Sequence, residues 1–349
     1  MSAGTEGEAP VLVDLHCHFM PPDLPDFAKE LGDDRWPRLI VDEDAGVGRV
    51  MRGEDLFRIV DPPCWDTTAR LAEMAANRVD YHVMSPIPVG LTYWAEVGPA
   101  VTYARHLNDW LAEQVRHSEG KLRGLGAVPL QDEAAAIAEL ERIVGELGLS
   151  GVELGTIVNG TELSAASFRR FFHAAEEMGV PIFIHPMARY HGYDMDRCRG
   201  ERESMAIEML TDTTIAATAL VFGGVMAECP RLKILLSHGG GTFTWTYPRL
   251  RYWEARQSDD AERTERELDT RVGDLYVDSL VHDPDHLRIL MSRYGANHVV
   301  AGSDYPFMPT RFTHPAIILD EAVRAGVCTA AETNAMKGQN AFEFIGEQL

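Results

Sequence analysis

VLVDLHCHF (residues 11–19) is a short β-rich run that ends on two histidines one residue apart, and it is the first of a series. Seven more runs of the same build follow: VDYHVMSP (79–86), LRGLGAVPL (122–130), GVELGT (151–156), PIFIHP (181–186), KILLSHGGG (233–241), LYVDS (275–279) and HVVAGSDYP (298–306). Each is compact, apolar and closed by Gly, Pro or Asp, as buried parallel strands are. Helical patterns lie between them, among them 66–78, 132–148 and 164–179, the last with Ser164 read as its N-cap and Gly179 just past its end. Strand and helix alternate throughout, the order of a parallel α/β fold. A doubly wound open sheet alternates in the same way. Eight units, and no glycine-rich phosphate loop after the first strand, favour closure into a (β/α)8 TIM barrel.

Two insertions interrupt the rhythm. Residues 20–65, with PPDLPDF and DPPCW, are expected to cover the C-terminal mouth of the barrel. Residues 187–231 start with the polar and aromatic ARYHGYDMDRCRGER and continue into a long apolar helix, read over 204–227, that suits a lid or a subunit interface. Residues 1–10 read as a mobile tail, and 11–349 as one barrel domain of ordinary size for the fold.

Composition narrows the function. The chain is 45% apolar and 25% charged, with a net charge of -22, which opposes binding to nucleic acid because such affinity rests on Lys and Arg neutralising phosphates. A small anionic substrate stays open, since a few arginines focused in a pocket outweigh the global field locally. Without an uninterrupted apolar run of about 18 residues, or the basic and apolar opening of a signal peptide, no membrane association is expected and the location reads as cytoplasmic. Five scattered cysteines without a C-x-x-C pair read as reduced thiols.

Chemistry concentrates at strand ends. His16 and His18, two apart on a strand, face the same side, whereas Cys17 faces the other. His185 closes the fifth run, His238 the sixth and Asp304 the eighth, so five potential ligands or acid–base groups gather at the C-terminal ends of four strands, where barrel active sites lie. Imidazole nitrogen and carboxylate oxygen suit a borderline divalent ion; four such ligands plus water make a five-coordinate site. The fourth strand carries Glu153 and no lysine that could bridge two ions, so one metal per chain is expected. His106, His117 and His173 fall in helical patterns and read as solvated or packed, while His191 and His282 sit on loops near the rim and His82 lies within a strand. No G-x-S-x-G elbow is present, and Gly239, Gly240 and Gly241 lack the Lys and Ser/Thr of a phosphate loop.

VDLHCHF, FRIVDPPCWD, GLGAVPLQD, PIFIHP, LSHGGGTFTW and GSDYPF occur in an order and spacing that resemble amidohydrolase family 2 from about Val13 to Phe344, and within it the aminocarboxymuconate-semialdehyde decarboxylase type. The resemblance implies that His16, His18, His185 and Asp304 bind the metal, that His238 activates the metal-bound water, and that Asp304 also belongs to the catalytic group. It aligns Arg58 and Arg249 with arginines that clamp substrate carboxylates, the latter from a neighbouring subunit, which requires a homodimer or higher oligomer; taken alone, both would read as surface ion-pair residues. The helix 204–227 and the segment Trp245 to Trp253 are then candidate contacts, although the aromatic run also suits core packing.

The implied reaction is a metal-dependent, non-oxidative decarboxylation of a small unsaturated or aromatic carboxylic acid, without an organic cofactor. Zinc is the default ion, with manganese, iron and cobalt compatible. Hydroxybenzoate decarboxylation, and hydrolysis or hydration by the same centre, are the alternatives. One departure bears on the substrate: the segment after the fifth strand reads HPMARYHGYDMDRCRG, placing Met187, Arg189, Tyr190, Tyr193 and Arg197 where the family usually has His-Pro-Trp and a further Trp.

Overall fold

The computed structural model describes residues 10–187, 200–308 and 314–348. Eight parallel strands form its centre: β1 (Val13–Phe19), β5 (Tyr81–Pro86), β6 (Leu122–Ala127), β7 (Gly151–Gly155), β10 (Ile182–His185), β11 (Ile234–Leu236), β12 (Tyr276–Asp278) and β13 (Val299–Val300), hydrogen-bonded in that order; the two-residue strands β8 (Ile157–Val158) and β9 (Thr161–Glu162) pair with each other outside this ring. The ring closes between the last and the first. Leu15 N donates to Ala301 O at 3.0 Å, Tyr305 N donates to His16 O at 3.2 Å, and Cys17 bridges Tyr305 in parallel register.

Every expected strand is present, shorter by a residue or more than its apolar run. Where β13 ends after two residues, the chain GSD turns over the mouth instead of continuing the ladder. The expected helices occur as Thr67–Asn77, Glu133–Gly145 and Arg169–Met178; Asp66 and Asp132 cap the first two through their carboxylates. Ser164 does not cap the third. A 3-10 turn, Ala166–Phe168, comes first, and the hydroxyl of Ser164 is not used; Gly179 ends the helix in the left-handed conformation, φ 68°, as expected.

Strand parity divides the core into two shells. Ile182, Ile184, Ile234, Leu236, Val152 and Leu154 face outward into the large cluster shared with the helices. Val13, Leu15, Val83, Leu125, Phe183, Leu235 and Val300 face inward and are sealed below by Phe342, Phe344 and Ile345 of the C-terminal helix. The lower barrel is thus filled by apolar side chains, as the fold requires. A register shift between Asp14 and Cys17 in β1 allows Leu15 to join that inner layer while His16 and His18 both turn toward the mouth.

The first insertion holds structure that periodicity alone did not reveal. It folds into a three-stranded antiparallel sheet, β2 (Pro37–Asp42), β3 (Val47–Arg52) and β4 (Asp55–Val60), whose Leu39, Val50 and Val60 pack with Met20, Cys64, Ile87 and Val89 on the barrel rim. Gly48 lets it close: a Cβ there would stand 2.7 Å from the Trp65 ring. In the second insertion, helix runs from Glu201 to Phe222 through a π turn at Ser204–Glu208, and Gly224 at φ 95° separates it from the short helix Val225–Glu228; the single helix expected over 204–227 is therefore two. By length and composition Glu201–Phe222 is apolar enough to cross a membrane, but it buries Met209, Ala216, Ala217, Leu220 and Val221 against the barrel. The tail expected over residues 1–10, Pro10 apart, and Arg189, Tyr190, His191, Tyr193 and Arg197 lie outside the described residues.

Candidate metal centre and its surroundings

β1 delivers His16 and His18, β10 delivers His185, and the turn after β13 delivers Asp304; one ligand atom from each lies within 4.8 Å of all the others, and all four residues are buried. The Nε2 atoms of His16 and His18 stand 3.2 Å apart, and Asp304 Oδ1 lies 3.4 Å and 3.2 Å from them. Each ring is oriented from behind through Nδ1: His16 to Asp278 Oδ2 at 2.8 Å, His18 to Pro86 O at 3.1 Å and His185 to Pro186 O at 2.9 Å. An Nδ1–H that donates backward leaves Nε2 as the forward-facing ligand atom.

The donor set fits a divalent cation. His185 Nε2 and Asp304 Oδ1 are buried with no hydrogen-bond partner among the described residues, an expensive state for lone pairs unless a cation meets them. Electrostatics agree. Burial alone would lower the His16 pKa, yet the Asp278 and Asp304 carboxylates outweigh it and raise it to about 10, so the centre attracts positive charge. Burial lowers the pKa of His18, and for His185 burial and the surrounding imidazoles lower it well below the usual value, which keeps both in the neutral, ligating form. Asp304 remains ionised against the cost of burial because the His16, His18 and His238 rings surround it.

His238 sits on the 3-10 turn His238–Gly240 after β11, its Nε2 3.9 Å from Asp304 Oδ2 and its buried Nδ1 without a partner among the described residues. His238 and Asp304 both adopt positive φ, 53° and 61°. Such backbone strain persists only where surrounding contacts impose it, and it concentrates at functional sites. The predicted groups therefore converge on one point at the barrel mouth.

The two arginines separate. Arg58, half-buried on β4, lies over the Phe307 ring at 5.2 Å, and Phe307 in turn stacks on His18 with centroids 5.1 Å apart. Its Nη2 meets Met205 Sδ at 3.8 Å, and it lines a cavity of about 910 Å³ with His185, Asp304 and Phe307. Arg249 is exposed on the helix Phe243–Ala255 and is not among the described residues that line the cavities at the centre. On that helix Phe243 and Tyr247 pack inward, whereas Trp245, Tyr252 and Trp253 are 77%, 52% and 50% exposed, so the aromatic run is only partly core. A second hollow of about 510 Å³, mainly apolar, flanks Asp304 on the His238 side and is lined by Trp245, His282 and His286; Met205 and Met209 border both spaces.

His106 and His117 lie in the helix Val97–His117 and His173 in Arg169–Met178, as the pattern indicated. Sequence reasoning passed over the supporting residues. Asp278 closes LYVDS and holds His16. Asp14 accepts from Ser303 N at 3.1 Å, from the Ser303 hydroxyl and from His16 N at 3.2 Å, joining the two ligand-bearing segments. Arg70, fully buried, donates to Pro63 O and to the carbonyl of His18 and meets His82 Nδ1. Asp278 was legible by the reasoning that found Asp304, as an acidic residue closing a strand. Asp14 and Arg70 carried no such signal, because each acts through a partner remote in sequence.

The fold and its donor set define a metal-binding enzyme barrel. The Amidohydrolase family profile matches residues 13–346, and the chain belongs to that family. It is 33% identical over 336 residues, 96% of this chain and 91% of the relative, to 2-amino-3-carboxymuconate-6-semialdehyde decarboxylase of Dictyostelium discoideum. It is 28% identical, over 68% of this chain and 76% of the relative, to gamma-resorcylate decarboxylase of Rhodococcus jostii. Among solved structures, a 5-carboxyvanillate decarboxylase of Novosphingobium aromaticivorans, with bound manganese and 3-methoxy-4-hydroxy-5-nitrobenzoic acid, superposes with a TM-score of 0.78 at 18% identity, covering 97% of each chain.

Proposed function

We propose that this chain is a metal-dependent, non-oxidative decarboxylase acting on a small unsaturated or aromatic carboxylic acid of the aminocarboxymuconate-semialdehyde type. The observation that carries the reading is Arg58, a guanidinium with no carboxylate partner among the described residues, facing the same cavity as the His16, His18, His185 and Asp304 cluster. That places an anion-binding group and a Lewis-acid site across one space of substrate size.

An ion held by the four ligands would polarise a substrate oxygen and lower the pKa of water beside it. Three imidazoles and a carboxylate suit zinc, which we take as the ion, with manganese the first alternative. Arg58 fixes the substrate carboxylate, and Phe307, packed against both Arg58 and His18, forms part of the cavity wall. His238, whose Nε2 faces Asp304 across 3.9 Å, would exchange a proton with water and return one to the carbon that loses carbon dioxide. The bonding electrons of the departing carboxylate stay on that carbon until the proton arrives, so no oxidant enters.

The working unit is a homodimer or larger assembly. Trp245, Arg249, Tyr252 and Trp253 recur at helical spacing on one exposed face, and Trp245 also lines the hollow beside His238. A second copy seated on that face would reach the cavity and bring Arg249 to it. The cytoplasmic assignment is part of the same proposal, and the free, buried state of Cys17, Cys64, Cys229 and Cys328 supports it.

The test is elemental analysis of freshly purified protein, followed by carbon dioxide release from the aminocarboxymuconate semialdehyde and a panel of hydroxybenzoates. About one ion per chain and carbon dioxide from one of these substrates is the expected result. An ion without carbon dioxide transfers the reading to a hydrolase or hydratase; active protein without an ion overturns the centre.

A further inference from the structure

We propose that Asp278 is a positioning residue that couples the metal ligand His16 to the acid–base residue His238, so that one carboxylate sets both ion affinity and turnover. The inference rests on the metal reading above and adds a role to a residue outside the ligand set.

Asp278 is the last residue of β12 and is fully buried. Its Oδ2 accepts from His16 Nδ1 at 2.8 Å and from the backbone N of His238 at 2.8 Å. Its Oδ1 accepts from Gly239 N at 2.9 Å and Leu280 N at 3.1 Å. The first bond fixes the His16 tautomer with Nε2 forward. The next two hold a turn whose residues His238, Gly239 and Gly240 all have positive φ, 53°, 61° and 75°, a conformation that His238 adopts only under external constraint. Packing leaves little slack, for a Cβ on Gly302 would lie 2.9 Å from the Cβ atoms of both Asp278 and His16. Displacing this carboxylate therefore releases a ligand ring and the turn carrying His238 together.

Asp278→Asn keeps the shape. Its single carbonyl oxygen can serve only one side, and its amide nitrogen then opposes N–H donors on the other. The probe is Mn2+ added to metal-free protein and followed by electron paramagnetic resonance, with turnover measured separately at saturating Mn2+. Asp278→Asn should bind Mn2+ on the order of 10- to 100-fold more weakly and should also lose kcat on the order of 10-fold at saturating Mn2+, with KM little changed. In a His238→Ala background the Mn2+ weakening should persist while the kcat loss largely vanishes, since the residue it acts through is gone. Ser279→Ala, which removes a neighbouring buried hydroxyl that makes no hydrogen bond among the described residues, should change neither quantity.

Unchanged Mn2+ affinity in Asp278→Asn overturns the proposal, and so does full kcat at saturating Mn2+ or a kcat loss that adds to that of His238→Ala. If the wild-type protein binds no Mn2+ and no Zn2+, the metal reading itself falls. A check that needs no variant is the 15N spectrum of Zn2+-loaded wild type: His16 should be protonated at Nδ1 and coordinated through Nε2, and the opposite tautomer overturns the assignment.

Discussion

Three imidazoles and a carboxylate meet at the barrel mouth, but they do not contribute in the same way. His185 Nε2 has no hydrogen-bond partner among the described residues and would meet the ion directly, so His185→Ala should lose the metal and activity with it; His238 stands beyond the proposed ligand atoms, so His238→Ala should keep the metal and lose turnover on the order of 100-fold or more. Elemental analysis of both variants decides the matter, and equal metal loss would put His238 among the ligands. Arg58→Ala should raise KM for a carboxylate substrate, with Arg58→Lys recovering only part because an ammonium cannot form the two parallel bonds. Glu153 is a different case. It points into the barrel, and burial pushes its pKa up to about 8. The folded metal-free protein thus keeps a proton that the unfolded chain releases above its ordinary carboxylate pKa. Stability should fall as pH rises from about 4.5 toward 8, by up to a few kcal/mol, and Glu153→Gln should remove most of that slope. Denaturant melts at pH 5 and pH 8 measure it; identical slopes in the two proteins would refute the assignment.

Among the elements, the helix Thr67–Asn77 and strand β1 depend on each other through Arg70, whose guanidinium lies over the Tyr305 ring at 5.0 Å while donating to Pro63 O and His18 O. Arg70→Met fills much of the same volume and strands those acceptors. The expected cost is a few kcal/mol, read in a urea melt, together with weaker metal binding because the carbonyl of His18 loses its anchor. Loss of stability with metal affinity intact would confine Arg70 to a packing role. The helices around the barrel were legible because Asp66 and Asp132 announce their starts and apolar residues recur at helical spacing. The sheet β2–β4 was not, since its half-exposed strands lie on one side of the barrel rim and their apolar residues find partners only in Met20, Cys64, Ile87 and Val89. The π turn at Ser204–Glu208 and the break at Gly224 were hidden for a related reason, as uniform apolar composition reads as one continuous helix.

For the molecule as a whole, an ion that binds only the folded barrel adds stability by mass action, about 2.7 kcal/mol when present at 100 times its Kd. Chelation should lower Tm by several degrees and readdition should restore it. The arrangement in trans has its own test. Mixed Arg58→Ala and Arg249→Ala subunits should regain roughly a quarter of wild-type activity after free exchange, since half of the dimers are mixed and each holds one intact site. No recovery under confirmed exchange would return Arg249 to the surface. Trp253→Asp, in the middle of the exposed aromatic face, should shift the protein toward monomer in sedimentation and lower activity in parallel.

By itself the sequence determined the eight strand–helix units, the closed barrel and the strand ends that carry His16, His18, His185, His238 and Asp304, because strand parity and end position are local properties of the chain. The family resemblance added Arg58 and Arg249. Only the tertiary structure decided which groups support them. Asp278 reaches His16 across 262 positions and Ser303 reaches Asp14 across 289, and Arg70 holds a carbonyl 52 residues away. The two carboxylate pairs meet because barrel closure brings β12 and the turn after β13 against β1, and no periodicity along a chain encodes a contact that exists only once the ring has shut.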